Sequence, residues 1–127
     1  MRKLILEQTK NTPEITLDPN NGYFSFKGRS FPENSKKFYS PILDWFESFD
    51  PINSKKYTVD FDLNYISSSS IISIFELLKK IAKKSSSKGN IIIEWKHESD
   101  DEAIRKIGED FTKLISMPLT LKSIQES

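Results

Sequence analysis

Residues 57–82 read YTVDFDLNYISSSSIISIFELLKKIA, and the fold class turns on them. From Tyr57 to Ile66 the chain alternates: Tyr57, Val59, Phe61, Leu63 and Tyr65 fall on one face, Thr58, Asp60, Asp62 and Asn64 on the other. A period of two predicts a strand with one buried face. After Ser67–Ser70 the period changes. Ile71, Ile74, Phe75, Leu78, Ile81 and Ala82 recur at three- and four-residue steps, which is the stripe of an amphipathic helix. A half-buried strand feeding a one-striped helix predicts an α/β layer structure, with a sheet covered by helices mainly on one face.

Upstream, KLILE at 3–7 makes a short first strand, and EITLD follows with Ile15 and Leu17 on one face. Asp18-Pro19-Asn20-Asn21-Gly22 is a turn, because Asn-Gly readily takes positive φ angles. YFSFKG then returns as a hairpin strand, with Phe24 and Phe26 opposite Tyr23, Ser25 and Lys27. GRSFPEN at 28–34 reads as a loop, and Asn34 or Ser35 can cap a helix over 35–49. There Phe38, Ile42, Trp45 and Phe49 are spaced helically, with Leu43 and Phe46 widening the stripe. Pro41 predicts a kink or a new first turn, and Pro51 closes the helix.

Downstream, the second helix ends in KKSSSKGN, with Gly89 suited to the C′ position. GNIIIEWKH is the most apolar strand and is expected at the centre of the sheet. Ser99-Asp100-Asp101-Glu102 caps and charges the last long helix, whose stripe is Ile104, Ile107, Phe111, Leu114 and Ile115. Pro118 stops it, and LTLKSI adds an edge strand. The order is β-β-β-α-β-α-β-α-β, one mixed-sheet domain over residues 1–127: antiparallel at the hairpin and parallel across the helical crossovers.

Composition narrows the function. Nineteen basic against 18 acidic residues leave +1, so no bulk charge attracts nucleic acid or an anionic membrane. No cysteine is present, which removes disulfides, thiol nucleophiles and thiolate-bound zinc. MRKLILEQTK is too short in apolar residues for a signal segment, and no stretch reaches the ~20 apolar residues of a membrane span. A cytoplasmic protein without cofactor or metal is expected.

The chemistry-bearing residues are sparse. His97 is the sole histidine and reads as a structural one. Asp100, Asp101 and Glu102 could hold a hard cation, but a helix start favours negative charge in any case. Asp60 and Asp62 share the polar face of a strand, as a paired-carboxylate site or as plain exposed polarity. The glycines 22, 28, 89 and 108 form no phosphate-cradling loop. Lys79, Lys80, Lys83 and Lys84 lie near a helix C-terminus, where cations are favoured, and no aromatics are interleaved to make a nucleic-acid surface. That leaves the serines. One hydroxyl suffices to cap a helix, at roughly 1 kcal/mol, and here there are four. They sit where a strand's carboxyl end meets a helix N-terminus, a position that also stabilises a phosphate.

Several stretches resemble, in order, the SiaC family of bacterial regulatory phosphoproteins. They are Thr12-Pro13-Glu14-Ile15, GRSFPEN at 28–34, Asp44-Trp45, NYISSSS at 64–70, IEWKHESDDEA at 93–103 and Gly108-Glu109-Asp110. The resemblance implies a fold like that of anti-anti-sigma factors, the STAS domains. In that family the strand–helix junction reads roughly tyrosine, apolar, asparagine, threonine, serine, serine, and the threonine is phosphorylated. Laid over Tyr65 and Ile66, that pattern puts Ser67 at the asparagine, Ser68 at the acceptor and Ser69 and Ser70 at the last two places. Ser68 is then the expected phospho-acceptor, with Ser67 or Ser69 if the register slips. The resemblance further implies a partner switch that is not itself an enzyme. Unphosphorylated, it would bind and activate a diguanylate cyclase, through Asn64, Tyr65, Ser67, Ser68, Ser69, Ser70 and Arg29. A histidine-kinase-like serine/threonine kinase would phosphorylate it, and a PP2C-type phosphatase would reset it. Two other readings stay open: an anti-anti-sigma-like antagonist of a different regulator, and a small enzyme using Asp60, Asp62 or the Asp100–Asp101 pair.

Overall fold

A computed structural model describes residues 2–88 and 90–125. The strands are β1 (Leu4–Leu6), β2 (Glu14–Asp18), β3 (Tyr23–Ser30), β4 (Tyr57–Ile66), β5 (Ile91–Glu98) and β6 (Leu119–Ile124). Helix α1 (Ser35–Ser48) joins β3 to β4, α2 (Ser68–Lys88) joins β4 to β5, and α3 (Glu102–Leu114) joins β5 to β6. The six strands lie side by side in sequence order. β1–β2 and β2–β3 pair antiparallel, and the three later pairs are parallel. Because that order never reverses, crossovers of one hand deliver every helix to the same face.

The side chains follow. Phe24, Phe26, Val59, Phe61, Ile93 and Trp95 point inward from three adjacent strands and join Ile42, Phe46, Ile74, Leu77, Leu78, Ile104 and Phe111 of the helices in a single buried cluster. Phe24 meets Phe46 edge to face at 5.5 Å, and Trp95 meets Phe111 likewise at 5.5 Å. The indole N–H of Trp95 donates to the Ile104 carbonyl at 2.9 Å, which fixes α3 on the sheet.

The structure corrects some local expectations. Residues 28–30 are not loop but the end of β3. Pro41 lies inside an unbroken α1, capped by Asn34, whose side chain accepts from the Lys37 N–H at 3.1 Å. The apolar strand β5 is interior but next to last; β3 and β4 hold the middle places, and Ile92 spends part of the apolar run of β5 on the open face. Leu114 is exposed, because α3 ends there as it leaves the core. The expected C′ role of Gly89 lies outside the described residues. Among these residues no helix is long and apolar enough to cross a membrane.

The largest departure lies in β4. Its alternation holds through Leu63, then the pairing with β3 slips between Gly28 and Arg29, so that Leu63 faces Gly28 and Tyr65 faces Arg29. Asn64 is the extra residue of a β-bulge. Gly28 takes φ +121° there, a conformation that side chains resist. The bulge changes the phase of the strand: Tyr65, expected inside, is 48% exposed, and Ile66 is buried instead.

Candidate functional site

β3 and β4 run parallel and end together, so the N-termini of α1 and α2 start side by side. The backbone records this junction: the Ser67 N–H donates to the Ser30 carbonyl at 2.9 Å. Serines from three segments therefore converge. Ser67 is the cap of α2, its hydroxyl accepting from the Ser70 N–H at 3.2 Å and its carbonyl from the Ile71 N–H at 3.0 Å.

The hydroxyls then bond to one another. Ser30 and Ser67 each donate to Ser70, both at 2.9 Å. A hydroxyl carries one proton, so Tyr39 must supply the 2.6 Å bond to Ser30. Ser70, having accepted twice, gives its proton to Ser35 at 3.1 Å. Ser35 passes its own to Ser69 at 3.1 Å, and a long 3.4 Å contact from Ser69 to Ser67 closes the ring. Ser30, Ser70 and Tyr39 are wholly shielded from solvent, and burial pushes the Tyr39 phenol up to about 12. A polar network this deep persists only because its members satisfy one another.

The four serines are thus not equivalent. Ser67 caps, Ser69 is exposed but engaged, and Ser70 is the buried hub. Ser70 therefore cannot touch a partner as expected; it holds the others in place. Ser68, the first residue of α2, is exposed and its hydroxyl has no hydrogen-bond partner among the described residues. The first turn of α2 carries no acidic side chain, whereas α3 starts with Asp101 and Glu102. The first turn of α2 thus offers its partial positive charge no acid of its own.

Beside this junction the Arg29 guanidinium lies against two neighbouring rings, 4.9 Å from the centroid of Phe31 and 5.7 Å from that of Tyr65. Asn64 and Tyr65 both face solvent there, Tyr65 because of the bulge. On the other side of the serines an open groove of about 720 Å³ runs between α1 and α2, with Lys36, Leu43, Ser69 and Ile72 among its walls. Ser30, Ser35 and Tyr39 were missed as parts of the site. Ser35 carried a signal only as a possible cap, and Tyr39 only by lying three residues before Ile42 on the helical stripe.

Asp60 and Asp101 are committed to structural bonds. Asp60 is buried rather than exposed, accepting from the Tyr23 hydroxyl at 2.7 Å and the Lys96 ammonium at 2.9 Å. The Tyr23 ring is exposed, but desolvation at its hydroxyl, with help from Asp60, pushes the phenol up to about 12, and the hydrogen bond to Asp60 raises Lys96. Asp101 caps α3, accepting from the Ile104 N–H at 3.0 Å. Asp62, His97 and Asp101 border one polar cleft with Lys27 and Asn64. His97 is buried there, and its Nδ1 proton goes to the Glu98 carbonyl at 2.9 Å.

The chain and its fold have known counterparts. Residues 6–124 match the model of the family described as SiaC family regulatory phosphoprotein. An uncharacterized protein of Pseudomonas aeruginosa (strain UCBPP-PA14) is 26% identical over 126 residues, covering 99% of this chain and 100% of the relative. The crystal structure of apo-SiaC from P. aeruginosa superposes with a TM-score of 0.84 at 26% identity, covering 97% of this chain and 100% of that one. SiaC in the crystal structure of diguanylate cyclase SiaD in complex with its activator SiaC, from the same species, superposes with a TM-score of 0.85 at 26% identity, covering 95% of this chain and 99% of that one. A match over nearly the whole length, in sequence pattern and in fold, places this chain in the SiaC family of regulatory phosphoproteins.

Proposed function

We propose that this protein is a phosphorylation-controlled partner switch of the cytoplasm, which binds and activates a diguanylate cyclase when Ser68 is unmodified and releases it when Ser68 is phosphorylated. The observation that carries the reading is the division of labour in the serine run: of four hydroxyls, the one at Ser68 is both exposed and uncommitted. A histidine-kinase-like kinase transfers the γ-phosphoryl group of ATP to the Ser68 oxygen, whose proton is lost as ADP leaves. A PP2C-type phosphatase restores the hydroxyl by hydrolysis. The chain is the substrate of both enzymes and catalyses neither step.

The switch is electrostatic. A phosphate at Ser68 adds about −1.5 to −2 charges next to a helix start that carries no acid of its own. In the free protein the N–H groups and dipole of that start tolerate it. In a docked complex it must be desolvated against the partner. A penalty of about 3–4 kcal/mol weakens binding several-hundred-fold. Asn64, Tyr65, Arg29, Ser67 and Ser69 form the surrounding contact surface, with Ser70 as its support.

Peptide mass spectrometry after incubation with the cognate kinase and ATP tests the acceptor, and a pull-down tests the partner. Phosphate on Ser68, cyclase captured by wild type, and no capture by Ser68→Asp with its fold intact are expected. Phosphate on Ser67 or Ser69 would move the acceptor. Recovery of an anti-sigma factor in place of the cyclase would move the protein to another regulatory circuit. Tight cyclase binding by Ser68→Asp would refute the switch.

A further inference from the structure

We propose that Arg29 is the charged anchor of the docking surface, pairing with a carboxylate of an acidic segment on the cyclase; the inference rests on the partner-switch reading. Among the described residues Arg29 has neither an acidic partner nor a hydrogen bond, unlike Arg105, which pairs with both Glu102 and Glu109. An unpaired surface arginine is ordinarily a swinging side chain. This one is held: Phe31 and Tyr65 stand edge to face at 5.5 Å, and the guanidinium lies over both rings.

The clamp depends on the bulge, because a regular β4 would turn Tyr65 into the core. Stacking on rings restrains a rotamer-rich side chain before any partner arrives, so less entropy is lost on binding. It also leaves the edge of the guanidinium, with its planar fork of N–H donors, open to a planar anion, and a carboxylate meets that fork with two parallel bonds. Tyrosine and arginine are, with tryptophan, the residues enriched among interface hot spots.

The position joins the anchor to the switch. Arg29 pairs with Tyr65, and the carbonyl of the next residue, Ser30, receives the N–H of Ser67, the cap of α2. A segment that reaches from Ser68 across the paired ends of β3 and β4 would meet the anchor. The charge argues for an acidic occupant: the guanidinium is a fixed cation with no counter-ion of its own. An acidic segment placed there would also be repelled by a phosphate on Ser68, so one partner chemistry accounts for both docking and release.

The test uses the full chain, immobilised, against purified diguanylate cyclases of the source organism at 50 and 300 mM NaCl. Arg29→Gln removes the charge at similar length, and Arg29→Lys keeps the charge but loses the fork. Gln is expected to weaken binding about 10- to 100-fold and to flatten the salt dependence, with Lys in between. Both variants should melt like wild type, since the side chain is exposed. Gln binding within about twofold of wild type would overturn the anchor while leaving the Ser68 switch standing, provided Ser68→Asp still abolishes binding. The same result, combined with a lost response to Ser68 phosphorylation, would assign the arginine to the chain's own phosphate and also overturn the anchor. No binding of wild type to any cyclase would overturn the anchor and the function together.

Discussion

Replacing Ser70 with alanine separates the buried structural serine from the exposed Ser68. The Ser70 hydroxyl accepts from Ser30 and Ser67 and donates to Ser35, with no solvent access. Alanine strands the proton of Ser30, itself fully buried, at a cost of about 1–3 kcal/mol. Ser67 and Ser35 lose one bond each, roughly another 0.5 kcal/mol apiece because both retain other partners. The better helix propensity of alanine returns about 0.5 kcal/mol. The net loss is about 1.5–3.5 kcal/mol, which for a chain of this size lowers Tm by about 6–13 °C. Ser68→Ala removes a hydroxyl without a bond and should stay within about 0.5 kcal/mol of wild type. Urea unfolding followed by the fluorescence of Trp45 and Trp95 measures both variants. Equal, negligible losses would show that the hydroxyl ring does not form in solution. A Ser68→Ala loss as large as that of Ser70→Ala would mean that the roles along the run are shifted by one residue.

Gly108→Ala should destabilise by about 1–2 kcal/mol in the same assay: its methyl would stand 2.4 Å from Cδ1 of the buried Trp95, and overpacking outweighs the helix propensity gained. Asp101→Ala should cost about 1 kcal/mol whether or not Mg²⁺ or Ca²⁺ is present, since it removes a cap; a metal-dependent loss in thermal melts would revive the cation reading of that cluster. Alkaline pH should weaken the fold. The Tyr23 and Lys96 pKa values are raised by folding, so their contribution is complete below about pH 10 and declines above it, that of Tyr23 being lost as pH climbs toward about 12. Asp60→Asn should flatten that decline in urea midpoints taken from pH 9 to 11.5, because it removes the carboxylate that raises Lys96 and adds to the burial effect on Tyr23.

Much of the architecture was legible because it depends on local periods. The element order, the helical stripes and the single covered face follow from spacing that any short window displays. What escaped depends on distant residues. Tyr65 looked buried because alternation carried past Leu63, and only the pairing of Gly28 and Arg29 against β4 reveals the extra residue. The serine run announced a cap and hinted at a switch. Which hydroxyl does which was hidden, because Ser70 is buried by Ser30 and Ser35, 40 and 35 residues away. Asp60 looked exposed for the same reason: Tyr23 and Lys96, which bond to it, belong to other strands.

The unreversed strand order bears on how the chain assembles. Parallel sheets tend to form slowly because distant segments must first find each other. Here each strand waits only for the next one made: Tyr23 and Thr58 are 35 residues apart, Tyr57 and Ile91 34, Ile93 and Leu119 26. The hairpin of β2 and β3 can serve as a template on which later strands are laid one at a time during synthesis. Every member of the hydroxyl ring lies between Ser30 and Ser70, so the ring draws on no residue of α3 or β6.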